Sequence, residues 1–289
     1  MATASSMTAL EPELAYTLDL VRECGDVAMY YWRRGTKVLG LRQKPLGGGP
    51  ITVADTEIND RIVAALRERF PDDGVLAEES ADDGRWRGPS RCWYVDPIDG
   101  TREFSRGRTG WTIQVGLCID GEPSLGVVLE PAAGHLSWAV RTAARCEAHH
   151  RGPDGQERRL HPPVEASMDS LQLIGGRVYP LSRQILIRRA LGVTADRARG
   201  VGSVGVRLAS VARGDANVYV QAPGHTKMWD TCAPATLVLA AGGQVTDLLG
   251  RPLDFRAPAV THPAGVVASP ASLHGAILER IAPLVARWL

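Results

Sequence analysis

Asp96 and Asp99 stand three residues apart in the stretch Trp93-Tyr94-Val95-Asp96-Pro97-Ile98-Asp99-Gly100-Thr101. The apolar run Cys92–Val95 before them reads as a short buried strand, and Asp-Pro and Asp-Gly are turn signals. Two carboxylates on one tight turn can converge on a point. Anions held that close repel unless a cation sits between them. A hard cation such as Mg²⁺ takes oxygen ligands, commonly one or two carboxylates together with substrate phosphate. Gly100 and Thr101 would then offer backbone N–H groups to an anion at the start of a helical turn. The segment can therefore serve both a metal and a phosphate. The same dipeptides also build plain surface turns, so the rest of the chain decides.

Four more acids lie at the ends of expected elements. The apolar run Gly74–Ala77 leads into Glu78-Glu79. Adjacent strand residues point to opposite faces, so at most one of the pair is expected to enter a common site directly. Asp55 reads as the N-cap of a helix whose apolar stripe is Ile58, Ile62, Leu66 and Phe70. Asp230, in Met228-Trp229-Asp230-Thr231, precedes a helix expected over Ala233–Ala241, with Pro234 in its first turn and Gly242-Gly243 closing it. An acid there is favoured by the helix dipole alone.

Composition narrows the options. The chain has 289 residues, 44% apolar and 22% charged, with a net charge of +1. These are the proportions of an ordinary globular protein, with no global field favouring a nucleic-acid polymer or an anionic membrane. No apolar run approaches the roughly 20 residues of a membrane span. Met1–Glu13 lacks the pattern of a signal peptide and reads as a frayed leader. The five cysteines are scattered and never in C-x-x-C spacing, which predicts reduced thiols in a cytoplasm. His149-His150 reads as a solvated strand end.

The elements that must position the acids follow from periodicity. Leu14, Leu18, Val21, Gly25, Ala28 and Trp32 mark an amphipathic helix ending at Gly35. Lys44–Pro50, with three consecutive glycines between prolines, is a loop suited to a mobile flap. Trp111–Ile119 alternates with period two, and Asp120-Gly121 turns it into a second strand over Leu125–Leu129. Leu136–Val140 and Arg145–Ala148 continue an antiparallel sheet. A polar stretch, Arg151–Pro163, divides residues 1–155 from 156–289. Beyond it, strands at Leu171–Gly175, Ala216–Val220 and Val266–Ser269 alternate with helices at Ser182–Leu191, Val204–Arg213, Ala233–Ala241 and Ser272–Leu289. The expected class is α+β: an antiparallel sheet domain with the first two helices, followed by a smaller α/β domain. Arginines crowd the segment Arg177–Arg199; most read as solvated, with one or two placed to meet an anionic ligand.

The acid doublet, then D-P-I-D-G-T, then W-D before an Ala-rich helix ending in Gly-Gly, in that order, resembles the metal-dependent, lithium-sensitive inositol monophosphatase superfamily. The match runs from about Lys44 to Asp254. The resemblance implies a layered αβαβα fold and a soluble phosphatase of small phosphate monoesters, with two or three Mg²⁺ per site and room for a homodimer. By position, Glu78, Asp96, Asp99 and Asp230 would be metal ligands, joined by the backbone carbonyl of Ile98. Thr101 and Asp55 would form the dyad that activates water for direct attack, without a phosphoenzyme. Lys44 aligns with the flap lysine. Gly100, Thr101, Ser203, Arg207 and Asp230 would meet the substrate. D-G-T-R-E-F, and the run from Val201 through K-M-W-D-T-C-A-P, resemble the 3′(2′),5′-bisphosphate nucleotidases. The resemblance therefore implies removal of the 3′-phosphate of adenosine 3′,5′-bisphosphate, with an inositol or biosynthetic phosphatase as the alternative. The sequence departs from the subgroup at Gly175-Gly176-Arg177-Val178-Tyr179, where related nucleotidases carry a Ser-Arg-Ser-His-like stretch.

Overall fold

The computed structural model describes residues 10–35, 38–45, 49–161, 167–177, 181–224 and 226–289. Met1–Ala9 of the expected leader, flap residues Gly47-Gly48 and Val178-Tyr179 lie outside the described residues. In chain order the elements begin with α1 (Glu11–Arg34), β1 (Arg42–Gln43), β2 (Pro50–Ile51), α2 (Val53–Arg69) and β3 (Gly74–Ala77). They continue with β4 (Arg91–Asp99), α3 (Thr101–Ser105), β5 (Thr112–Ile119), β6 (Glu122–Glu130), β7 (His135–Arg141), β8 (Cys146–Arg151) and β9 (Glu157–Arg159). The remainder are β10 (Leu173–Gly176), α4 (Leu181–Ala190), β11 (Ala198–Val201), α5 (Val204–Arg213), β12 (Val218–Gln221), α6 (Met228–Ala240), β13 (Gly243–Thr246), β14 (Val266–Pro270) and α7 (Ala271–Val285).

Among the described residues, strands β3 to β9 form a seven-stranded sheet in sequence order, and a five-stranded sheet runs β11-β10-β12-β14-β13. In the larger sheet only β3–β4 is parallel. In the smaller sheet β10 pairs parallel with β11 and β12, while β14 is antiparallel to its neighbours. The apolar stripes of α1 and α2 pack on one face of the larger sheet. Helices α5 and α6 fill the space between the two sheets. Helices α4 and α7 close the far side of the smaller one. The order of layers is αβαβα, as the resemblance implies.

Helix α6 sits close against the larger sheet. Gly116 and Gly126 face each other across β5 and β6. A Cβ at Gly116 would lie 2.6 Å from the Ala233 amide nitrogen, and one at Gly126 would overlap the Ala233 carbonyl oxygen. The paired glycines thus form a seat that only missing side chains allow.

Several expectations are corrected. The leader ends sooner than Glu13, because Leu10 is buried and α1 begins at Glu11. Asp55 is not the N-cap of α2. Thr52 is, with Asp55 three residues on in a capping box, the two side chains and backbones bonding reciprocally. Helix α6 starts at Met228, not Ala233, so Pro234 lies inside it. The proline leaves the Asp230 carbonyl without its helical donor, and Gln114 Nε2 donates to that oxygen at 3.4 Å. Strand β4 does not stop at Val95 but runs through Pro97 to Asp99. His150 is buried, not solvated, because Ala148 and His150 face inward, on a strand against which α6 packs; its Nδ1 meets the Ser137 hydroxyl at 3.0 Å.

Candidate active site

Residues three apart on a regular strand point to opposite faces. Asp96 pairs with Gln114 and Asp99 with Thr112, so three steps along β4 match two along β5. The extra residue is a β-bulge, and it turns Asp99 onto the same face as Asp96. Both carboxylates then look toward α5 and α6. The first turn of α6 brings Asp230 to meet them: carboxylate oxygens of Asp96, Asp99 and Asp230 all lie within 4.8 Å of one another.

Each of the three acids is fixed by a backbone N–H through one oxygen. Ile98 N donates to Asp96 Oδ1 at 3.1 Å. Lys227 N donates to Asp230 Oδ2 at 2.6 Å. Gly205 N donates to Asp99 Oδ2 at 2.6 Å, joined by the Ser203 hydroxyl at 2.7 Å and Gln114 Nε2 at 3.3 Å. The other oxygen of each acid stays outside these bonds. Ser203 is also the N-cap of α5, accepting from Val206 N, so one hydroxyl ends a helix and anchors an acid.

Glu78 follows β3 and sits beside Asp96, but outside the group of three. Its Oε1 lies 2.7 Å from Lys44 Nζ, and Glu79 Oε1 lies 2.6 Å from the same ammonium. Both acids of the doublet therefore turn toward one lysine, where at most one was expected to point inward. The loop geometry after Ala77 releases them from strand alternation. Burial would lower the Lys44 pKa, but the two carboxylates outweigh it and raise it. Burial and the Glu78 charge push Glu79 up to about 7.

The dyad residues meet across the turn. Thr101 Oγ1, opening α3, lies 3.0 Å from Asp55 Oδ1 and 3.1 Å from the Ile98 carbonyl oxygen. Its one proton can serve only one of them at a time. Asp55 divides its labour: Oδ2 accepts from Thr52 in the capping box, and Oδ1 faces Thr101. Burial pushes the Asp55 carboxyl up to about 6 against the pull of its hydrogen bonds. Gly100, with φ 97°, makes the left-handed step from β4 into α3.

The cluster resists ionisation in the protein alone. Burial raises Asp96 and Asp230 well above the usual carboxylate range, and the facing acids add to it. Asp99 is raised by burial although the Gly205 amide and Ser203 oppose the shift. An all-oxygen donor set in which every member disfavours its neighbours' charge fits a hard divalent cation.

Ser203 and Arg207, expected at the substrate, are both buried and bonded within the protein. Arg207 Nη2 donates to the Gly202 carbonyl at 2.6 Å and Nη1 to Gln221 Oε1 at 3.1 Å. Gln114 was not singled out in the sequence. The available signal was a long polar amide facing the core on a strand whose apolar partners alternate cleanly. Glu103, inside D-G-T-R-E-F, is 1% exposed, which its charge alone does not announce.

Comparison with known proteins agrees with this architecture. The family model described as the inositol monophosphatase family matches residues 9–286. Histidinol-phosphatase of Mycobacterium tuberculosis is 33% identical over 80% of this chain and 84% of its own length. The 3′(2′),5′-bisphosphate nucleotidase CysQ of Escherichia coli is 31% identical over 82% of this chain and 91% of its own. The solved structure of a Thermotoga maritima IMPase superposes with a TM-score of 0.79 at 24% identity, covering 96% of this chain and all of that one. By its matched length, its layers and its carboxylate cluster, the chain belongs to the inositol monophosphatase family of metal-dependent phosphatases.

Proposed function

We propose that this phosphatase is Mg²⁺-dependent and removes the 3′-phosphate of adenosine 3′,5′-bisphosphate, giving AMP and phosphate. The observation that carries the chemistry is the convergence of Asp96, Asp99 and Asp230 within 4.8 Å. Glu78, these three aspartates and the Ile98 carbonyl would hold the cations. Bound there, divalent ions neutralise phosphate charge and make water more acidic. The protein's own part is positional. Thr101 takes a proton from the attacking water as it passes its own to Asp55. A carboxyl pushed to about 6 is a matched acceptor near neutral pH. Gly100 and Thr101 offer backbone N–H groups to the phosphate, and the buried surroundings strengthen every such contact.

The nucleotide assignment is supported by D-G-T-R-E-F and by the CysQ relative. A second reading, a phosphatase of a biosynthetic intermediate such as histidinol phosphate, is favoured by the equally similar histidinol-phosphatase and by Gly175-Gly176. The experiment is phosphate release with Mg²⁺ from adenosine 3′,5′-bisphosphate, histidinol phosphate, inositol 1-phosphate and a sugar phosphate. The highest kcat/KM is expected for the bisphosphate. A higher value for any other substrate replaces the nucleotide assignment with that one.

A further inference from the structure

A cavity of about 340 Å³ opens at the ends of β10 and β11, lined by Gly175, Gly176, Arg177, Gln184, Arg188 and Gly200 among others. None of its described lining residues is a carboxylate, and three are arginines. Three glycines, Gly175, Gly176 and Gly200, thin its sheet-side wall. A Cβ at Gly175 would overlap the Gln184 side-chain oxygen, and one at Gly176 would lie 3.5 Å from Arg207 Nη1. The cavity is therefore one backbone thickness from the buried Arg207. It is also near the carboxylate cluster. Gly200 is three residues from Ser203, a span of at most about 10 Å, and the Ser203 hydroxyl bonds Asp99.

Arg177 is held in this cavity by a residue of the catalytic turn. Its Nη1 lies 2.8 Å from Glu103 Oε2, and its Nε donates to the Gly200 carbonyl at 3.3 Å. Neither bond uses Nη2. The Arg177 side chain is 45% exposed, whereas that of Glu103 is 1% exposed. Glu103 lies two residues after Thr101 and packs against Gly202, whose Cβ would come 2.5 Å from Glu103 Cγ. Glu103 Oε1 is buried and finds no hydrogen-bond partner among the described residues. Its charge is balanced by Arg177 and, at 3.8 Å, by Arg108. A buried acid so placed fixes the direction of the exposed guanidinium without using up its donors. A guanidinium whose Nη2 takes no part in these bonds among the described residues, in a cavity whose described lining holds no carboxylate, is suited to phosphate.

We propose that Arg177, positioned by Glu103, binds a second anionic group of the substrate, the phosphate that is not hydrolysed. This rests on the nucleotide reading, in which that group is the 5′-phosphate, but its test is separable. The protein selects a bisphosphate over the matched monophosphate. The experiment measures kcat/KM for adenosine 3′,5′-bisphosphate against adenosine 3′-phosphate, and for fructose 1,6-bisphosphate against fructose 1-phosphate, in wild type and Arg177→Ala. Losing a charged hydrogen-bond partner is expected to shrink the bisphosphate preference roughly 10- to 100-fold, through KM. Arg177→Lys restores part of it, and Glu103→Gln raises KM for the bisphosphate more than it lowers kcat. If the fructose pair is the one turned over, the nucleotide reading fails while a collapsed ratio in that pair still supports Arg177. An unchanged ratio, an equal loss on both members, or hydrolysis of monophosphates alone overturns the proposal.

Discussion

The carboxylate cluster and the arginine-lined cavity are joined by the short segment Gly200–Ser203, yet they are built in different ways. Each clustered aspartate is tied to a backbone N–H and rides on a nine-residue strand or a thirteen-residue helix. The cavity stands on four-residue strands with glycine walls, and its Arg177 is half exposed. Groups that must hold a fixed geometry are over-determined. Arg177, proposed to meet the variable part of a substrate, is held by two bonds. The contrast predicts that damage to the first region removes chemistry and damage to the second changes choice.

The largest effect should come from Asp99→Asn. The amide oxygen can still accept from Gly205 N and Ser203, so the fold should be kept, but a charge that the proposed cation site needs is lost. Turnover is expected to vanish while circular dichroism and the unfolding midpoint stay near wild type. Retained turnover would break the comparison at its stronger end. Asp55→Asn should follow, with a loss of about 10²–10⁴-fold in kcat. In the proposed role of base Asp55 must be ionised, so kcat/KM should fall as pH drops through about 6. That acid limb should be missing from the variant's pH profile.

The difference between the regions also explains what the sequence discloses. Helix α6 was legible from its Ala-rich run and Gly-Gly stop, and β5 from clean alternation. Asp96 and Asp99 stood out because turn signals and carboxylates coincide. What local pattern does not carry is the bulge that puts both acids on one face, since it is defined by pairing with β5. Thr52 as cap was readable as T-x-x-D, but Asp55 competed for the same role. His150 is buried by a layer that comes from the other half of the chain. Glu103 and Arg177 lie 74 residues apart, and no local spacing announces their meeting.

The rigidity of the first region can be tested through the support beneath Asp230. His262 Nε2 lies 2.8 Å from the Thr231 hydroxyl, in the first turn of α6. Burial lowers its pKa from the ordinary 6.5 to about 4, against the pull of Asp254 and Asp247. Below pH 6.5 the unfolded chain takes a proton that the folded protein refuses. The stability contributed by neutral His262 is therefore present above pH 6.5 and lost as pH falls toward 4. The loss should reach about 3 kcal/mol. Urea unfolding at pH 7 and pH 4.5 should show His262→Gln losing less on acidification than wild type. Equal losses would mean that His262 titrates normally.

The smallest expected effect is the most local. In Gly126→Ala the new methyl group meets the Ala233 carbonyl, so α6 must rise from its seat. Overpacking of this kind costs about 1–3 kcal/mol. Because Asp230 rides on the same helix while Arg177 does not, the lift should separate the two regions. Metal affinity, read by Mg²⁺ titration of activity, should weaken along with the unfolding midpoint. The ratio of bisphosphate to monophosphate turnover should hold at saturating Mg²⁺. A variant that lost selectivity but kept its Mg²⁺ affinity would show the seat to govern choice, and the two regions would no longer be distinct in the way their construction implies.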